Sequence, residues 1–96
     1  MKFSEYYKEY LKLHQNKVNR RLHVVGNLAT LLFIFLCVTC ENYIFLFLSP
    51  FIVYPFAWSG HYFFEKNKPA AFSAPIYAKL SDWVMIKDII TGKIPW

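Results

Sequence analysis

Residues 24–64, VVGNLATLLFIFLCVTCENYIFLFLSPFIVYPFAWSGHYFF, hold one formally charged side chain in forty-one, Glu41, with His23 just before the run and His61 just before its close. Read as helix, residues 22–40 and 43–64 give stretches of 19 and 22, each near the roughly 20 residues that cross a bilayer, with Glu41-Asn42 as the turn between them. A chain of 96 residues has too little interior to hide both stretches from water, because small domains keep a large share of their surface exposed. The expected fold is therefore all-α: an integral membrane helical hairpin, flanked by N- and C-terminal amphipathic interfacial helices, in one domain spanning residues 1–96. A soluble helical bundle or an obligate oligomer is the alternative.

Charge orients the hairpin. Six basic residues (Lys2, Lys8, Lys12, Lys17, Arg20, Arg21) precede the apolar run, five (Lys66, Lys68, Lys79, Lys87, Lys93) follow it, and the turn has none. That distribution predicts both termini on the cytoplasmic side, at a bacterial inner membrane or, in a eukaryote, the endoplasmic reticulum. The formal charge of +5 then faces membrane lipids or an anionic substrate, and no nucleic-acid module is present. The polar residues 3–21 do not read as a signal peptide. Cys37 and Cys40 form a C-x-x-C in an apolar helix, where small buried hydrophobes are expected rather than a redox pair.

Outside the hairpin, Phe3, Tyr6, Tyr7, Tyr10 and His14 recur at helical spacing opposite Lys2, Glu5, Lys8, Glu9 and Lys12, predicting an amphipathic helix on the membrane surface or against the hairpin. Gln15-Asn16-Lys17 breaks it. In an unbroken helix His14 and His23 would point to opposite faces, so they converge only if the chain bends there. Asn19, His23, Asn27 and Thr30 form a polar stripe bordered by Gly26, which at membrane depth should face inward. Hydrogen bonding between helices without chemistry would also explain the stripe. Arg20 and Arg21 sit at headgroup level. Pro50 and Pro55 predict a kinked or interrupted second arm and leave a re-entrant hairpin open. Ala57, His61 and Glu65 share a face there, Gly26 and Gly60 would allow close approach, and Tyr54, Trp58 and Tyr62 suit an aromatic belt. Lys66 to Pro69 ends the arm, an irregular run through Ala70, Ala71, Phe72 and Pro75 follows, and Ser81 or Asp82 is expected to cap a last helix with a Trp83, Ile86, Ile90 stripe.

Folding the hairpin brings His23 and His61 to one level, with His14 in reach if the bend forms. Imidazoles gathered without a serine or cysteine nucleophile point to metal. His14, His23, His61 and the carboxylate of Glu65 form a ligand set of the non-haem Fe(II) type, with Arg20, Arg21 and Lys66 expected to keep the imidazoles neutral. The alternative is a non-catalytic small membrane protein whose histidines and arginines bind lipid headgroups or a protein partner.

Two blocks narrow the choice: His14-x4-Asn19-Arg20-x-Leu22-His23-x2-Gly26 and Gly60-His61-x3-Glu65-x-Asn67-x-Pro69-Ala70. Together they resemble the Mpo-type 2-hydroxy fatty acid dioxygenase family of small multi-helix membrane proteins, over about residues 6–93. The resemblance implies an Fe(2+) enzyme that uses O2 to shorten a 2-hydroxy fatty acid by one carbon. It implies His14, His23 and His61 as iron ligands or their close supports, and Asn19 as the group orienting an imidazole. Arg20 would pair with the substrate carboxylate, while Arg21 meets lipid. Family members with more helices enclose more volume than one hairpin, so a homodimer is expected to complete the bundle.

Overall fold

The computed structural model describes residues 2–69 and 74–96, and every regular element among them is helical. The chain runs α1 (Phe3–Lys12), α2 (Lys17–Thr39), a second arm over Tyr43–Glu65, and α4 (Pro75–Ile90). The second arm changes register twice: 3-10 over Tyr43–Phe51, α over Val53–Ser59 (α3), and π over Gly60–Glu65. The expected interruption is therefore real, and Pro50 lies inside the 3-10 part, where its missing N–H cannot join an α-helical ladder. The irregular run expected at Ala70, Ala71 and Phe72 lies outside the described residues.

α2 and the second arm pack side by side as the hairpin, turning at Glu41 in the left-handed conformation (φ 57°) and Asn42, as expected. Each arm is 23 residues long and apolar enough to cross a membrane. Their outer faces are covered with large apolar side chains, Phe47 being 77% and Phe63 73% exposed, while Asn19, His23, Asn27 and Thr30 are buried between helices. Polar inside and apolar outside is the arrangement a lipid surrounding favours. Cys37 is buried, whereas Cys40, expected to be buried with it, is exposed at the end of α2.

Close approach of the arms depends on two glycines. A Cβ on Gly26 would stand 2.9 Å from Phe56 Cβ, and one on Gly60 would overlap the Asn19 amide, with Asn19 Cα at 3.1 Å. Gly60→Ala is therefore expected to destabilise the hairpin by about 1–3 kcal/mol, the usual range for forcing atoms into a packed core. Thermal unfolding in detergent measures this, and an unchanged midpoint would show that the contact relaxes freely.

α1 and α4 pack on each other beside the open end of the hairpin, around Tyr10, Ala78 and Met85, with Tyr6, Tyr7, Leu11 and Ile89 alongside. α4 corrects two expectations. Pro75 opens this helix instead of extending a loop, since proline at the first helical position gives up only an N–H with no partner there. Ser81 and Asp82 are consequently in mid-helix, not at its cap, and both are buried. The packed face is Ala78, Ser81, Asp82, Met85 and Ile86; of the expected stripe, Ile90 is 79% exposed and Trp83 is also exposed.

Candidate metal centre

His14 reaches the site because α1 stops short of it. Leu13 to Asn16 form a bend, and Asn16 caps α2 by accepting hydrogen bonds from the N–H groups of Val18 (2.8 Å) and Asn19 (3.3 Å). The bend is fastened from both sides. Arg20 donates to the carbonyls of His14 (3.3 Å), Gln15 (3.2 Å) and Pro95 (3.2 Å), and the Asn16 N–H donates to the Glu65 carboxylate. His23 comes from the second turn of α2 and His61 from the π turn, a wide helical register that recurs at functional sites.

The three rings meet edge to face. Their centroids are 4.7 Å apart for His14–His23, 4.5 Å for His14–His61 and 5.1 Å for His23–His61, with interplanar angles of 81°, 81° and 90°. One ring nitrogen from each lies within 4.8 Å of the other two, and all three residues are buried. Convergence on one point is the arrangement of ligands about a metal, and no simple apolar packing requires it.

Hydrogen bonding fixes which nitrogen each ring presents. His14 Nδ1 lies 2.6 Å from the carbonyl of Tyr10, which can only accept, so Nδ1 carries the proton. His23 Nδ1 donates to the Asp82 carboxylate at 2.7 Å. His61 Nδ1 faces Asn67 Oδ1 at 2.6 Å, and the Asn67 amide is oriented by its own donation to the Leu13 carbonyl at 3.0 Å, so this Nδ1 donates too. Each ring is therefore left with the Nε2 lone pair. His14 Nε2 and His23 Nε2 are buried with no hydrogen-bond partner, which is costly for polar atoms unless something else binds them. Three imidazoles, each oriented through its other nitrogen, suit a divalent transition metal.

The electrostatics agree outside the spanning segments. Burial, then the neighbouring His23, lowers His14 from 6.5 to about 3, so the ring is neutral and able to donate its lone pair at physiological pH. That neutrality comes from desolvation rather than from Arg20, Arg21 or Lys66. Burial alone would raise Asp82, but His23 and hydrogen bonds from His23, Tyr10 and Asn27 hold it at about 2. Burial and Asp82 both raise Tyr10, whose hydroxyl stays protonated and donates to Asp82 Oδ1 at 2.6 Å. The Tyr10 ring also stacks on His14, centroids 3.8 Å apart.

Beside the imidazoles lies a cavity of about 50 Å³, walled by Val53, Tyr54, Ala57 and Trp58 on one side and by Ala78, Lys79 and Asp82 on another. It has room for an ion and a small polar head, so a long acyl chain would have to leave along the apolar wall. The remaining residues expected at the site lie around it. Glu65 stands outside the imidazole group, its carboxylate on Asn16. Asn19 is fully buried against Gly60, with no hydrogen bond from its side-chain amide to a histidine. Arg20 is buried on the bend carbonyls, and Arg21 binds the Trp96 carbonyl at 3.1 Å and lies over its ring. The supports that sequence reasoning missed are Asp82, Asn67 and the Tyr10 carbonyl. Only Asn67 left a signal, as the asparagine of the second block.

No curated protein and no solved structure matches the chain. The family model described as 2-hydroxy-palmitic acid dioxygenase Mpo1-like matches residues 1–94, nearly the whole chain and both blocks that supply the three imidazoles, and the protein belongs to this Mpo1-like family.

Proposed function

We propose that this protein is an Fe(II)-dependent dioxygenase that acts within a membrane on 2-hydroxy fatty acids, converting acid and O2 to the acid one carbon shorter, CO2 and water. The observation that carries the reading is the convergence of three buried imidazoles whose Nδ1 atoms are all engaged by hydrogen-bond acceptors. His14, His23 and His61 would hold the iron. When bound, iron supplies O2 activation and the oxidation between the first two carbons of the acid. Three imidazole ligands with a single carboxylate, Asp82, behind His23 would leave net positive charge at a divalent cation, which favours an anionic substrate. The chain's own groups hold the rings in one tautomer, keep bulk water from them and offer an apolar wall to the acyl chain.

Membrane insertion is supported by the two long apolar arms, and the basic residues at both ends favour cytoplasmic termini, with the site at that side. The apolar outer faces favour completion of the bundle by a second copy of the chain. The test is to purify the protein anaerobically in mild detergent, load Fe(II), and add 2-hydroxypalmitate with O2. The expected product is the fifteen-carbon acid, and native mass spectrometry of the same sample is expected to show a dimer. Iron-loaded protein that consumes neither O2 nor acid would leave a metal-binding membrane protein and end the dioxygenase reading.

A further inference from the structure

The cavity contains one cationic side chain that the metal centre does not use. Lys79 lies one turn before Asp82 on α4, lines the cavity with the imidazoles and is partly buried. A lysine in such a place commonly neutralises a buried carboxylate, and Asp82 is the obvious partner. The geometry is different. Among the described residues Lys79 makes no ion pair within 4.0 Å; its Nζ donates to Asn27 Oδ1 at 2.9 Å. Asn27 in turn donates to Asp82 Oδ2 at 2.9 Å and to the His23 carbonyl at 2.7 Å. Asp82 already receives hydrogen bonds from His23, Tyr10 and Asn27, so it is satisfied without the ammonium.

An ammonium carries three donors, and among the described residues one is engaged. Lys79 lines the same cavity as the three imidazoles and the apolar Val53 and Ala57, so its other donors can serve a ligand held there. The other cations near the bend are committed elsewhere: Arg20 is held by three carbonyls and Arg21 by Trp96, and neither lines the cavity. We propose that Lys79 binds the carboxylate of the substrate, fixing its acid end beside the three histidines while Asn27 holds the ammonium in register with Asp82. The family match assigns no such role to any residue. The inference rests on the reading of the site as one that takes a 2-hydroxy acid.

The experiment compares binding of 2-hydroxydecanoate and its uncharged methyl ester to anaerobic, iron-loaded protein by calorimetry. Wild type, Lys79→Gln, Lys79→Met and Lys79→Arg are used, with iron content measured for each. Glutamine keeps a donor toward Asn27 and removes only the charge, and comparing variants cancels the different partition of acid and ester into detergent. Wild type is expected to prefer the acid by at least about tenfold, as for a hydrogen bond to a charged group. Glutamine and methionine should lose that preference, arginine should keep part of it, and iron content should match wild type throughout. Acid-over-ester preference that survives Lys79→Gln undiminished removes Lys79 as the anchor and leaves the proposed function intact. Wild-type protein that binds iron but neither ligand overturns the substrate reading, and the anchor with it.

Discussion

Alanine at His14, His23 or His61 is expected to bring iron from about one per chain to background, and with it any oxidation of substrate. Each ring is held by its own acceptor, the Tyr10 carbonyl, Asp82 or Asn67, so each arrives at the site independently of the other two. Removing one leaves two nitrogen donors for a cation in a buried cavity, and the carboxylate lining it, Asp82, is engaged by Tyr10 and Asn27. Losing a group that merely supports a ligand typically lowers metal affinity about 10–100-fold, and losing the ligand itself should exceed that. Elemental analysis after anaerobic loading reads the result, and circular dichroism shows whether the helices persist. Full iron occupancy in any of the three variants would place the metal elsewhere and dissolve the centre as described.

The same histidines show how far a sequence carries such a site. The hairpin was legible because hydropathy is local: forty-one residues with one charge declare themselves whatever surrounds them. So was the inward stripe of Asn19, His23, Asn27 and Thr30, since one regular helix carries it. His14 needed the bend, and its position depended on Asn16 taking the cap, a residue well suited to that role. Where the reading failed, the outcome was set by contacts between distant elements. Ser81 and Asp82 look like cap residues, and that local preference pointed the wrong way, because Pro75 had already begun the helix six residues earlier. Glu65 would stack one turn beyond His61 in an α register. The π turn, with its i to i+5 spacing, changes that relation, and the carboxylate meets Asn16 instead. Arg20 lies within a turn of His23 in sequence, but nothing in the spacing reveals that three carbonyls of a bend and a distant tail would claim it.

Asp82 should therefore be the most consequential residue that sequence reasoning placed wrongly. Asp82→Ala is expected to destabilise the metal-free protein by about 3–5 kcal/mol, the range for breaking a buried ionic or hydrogen-bonded pair by removing one partner. The carboxylate is 5% exposed and accepts from His23 Nδ1, the Tyr10 hydroxyl and Asn27 Nδ2, so alanine strands three buried donors at once. His23 would also lose the acceptor that fixes its tautomer, and iron affinity should fall a further 10–100-fold or so. Asp82→Asn keeps the shape and one acceptor oxygen but turns an N–H2 toward groups that already donate, so it should fall between wild type and alanine in both measurements. The sign with pH follows from the lowered folded-state value. Asp82 contributes fully above its ordinary 3.8, and the contribution is lost as pH falls through about 2, so neutral pH shows the whole difference. Unfolding with and without chelator separates the two effects. An alanine variant that is destabilised without metal yet binds iron as tightly as wild type would make Asp82 a support of the helix packing alone. Loss of affinity beyond the loss of stability would show that the carboxylate acts on the metal through His23.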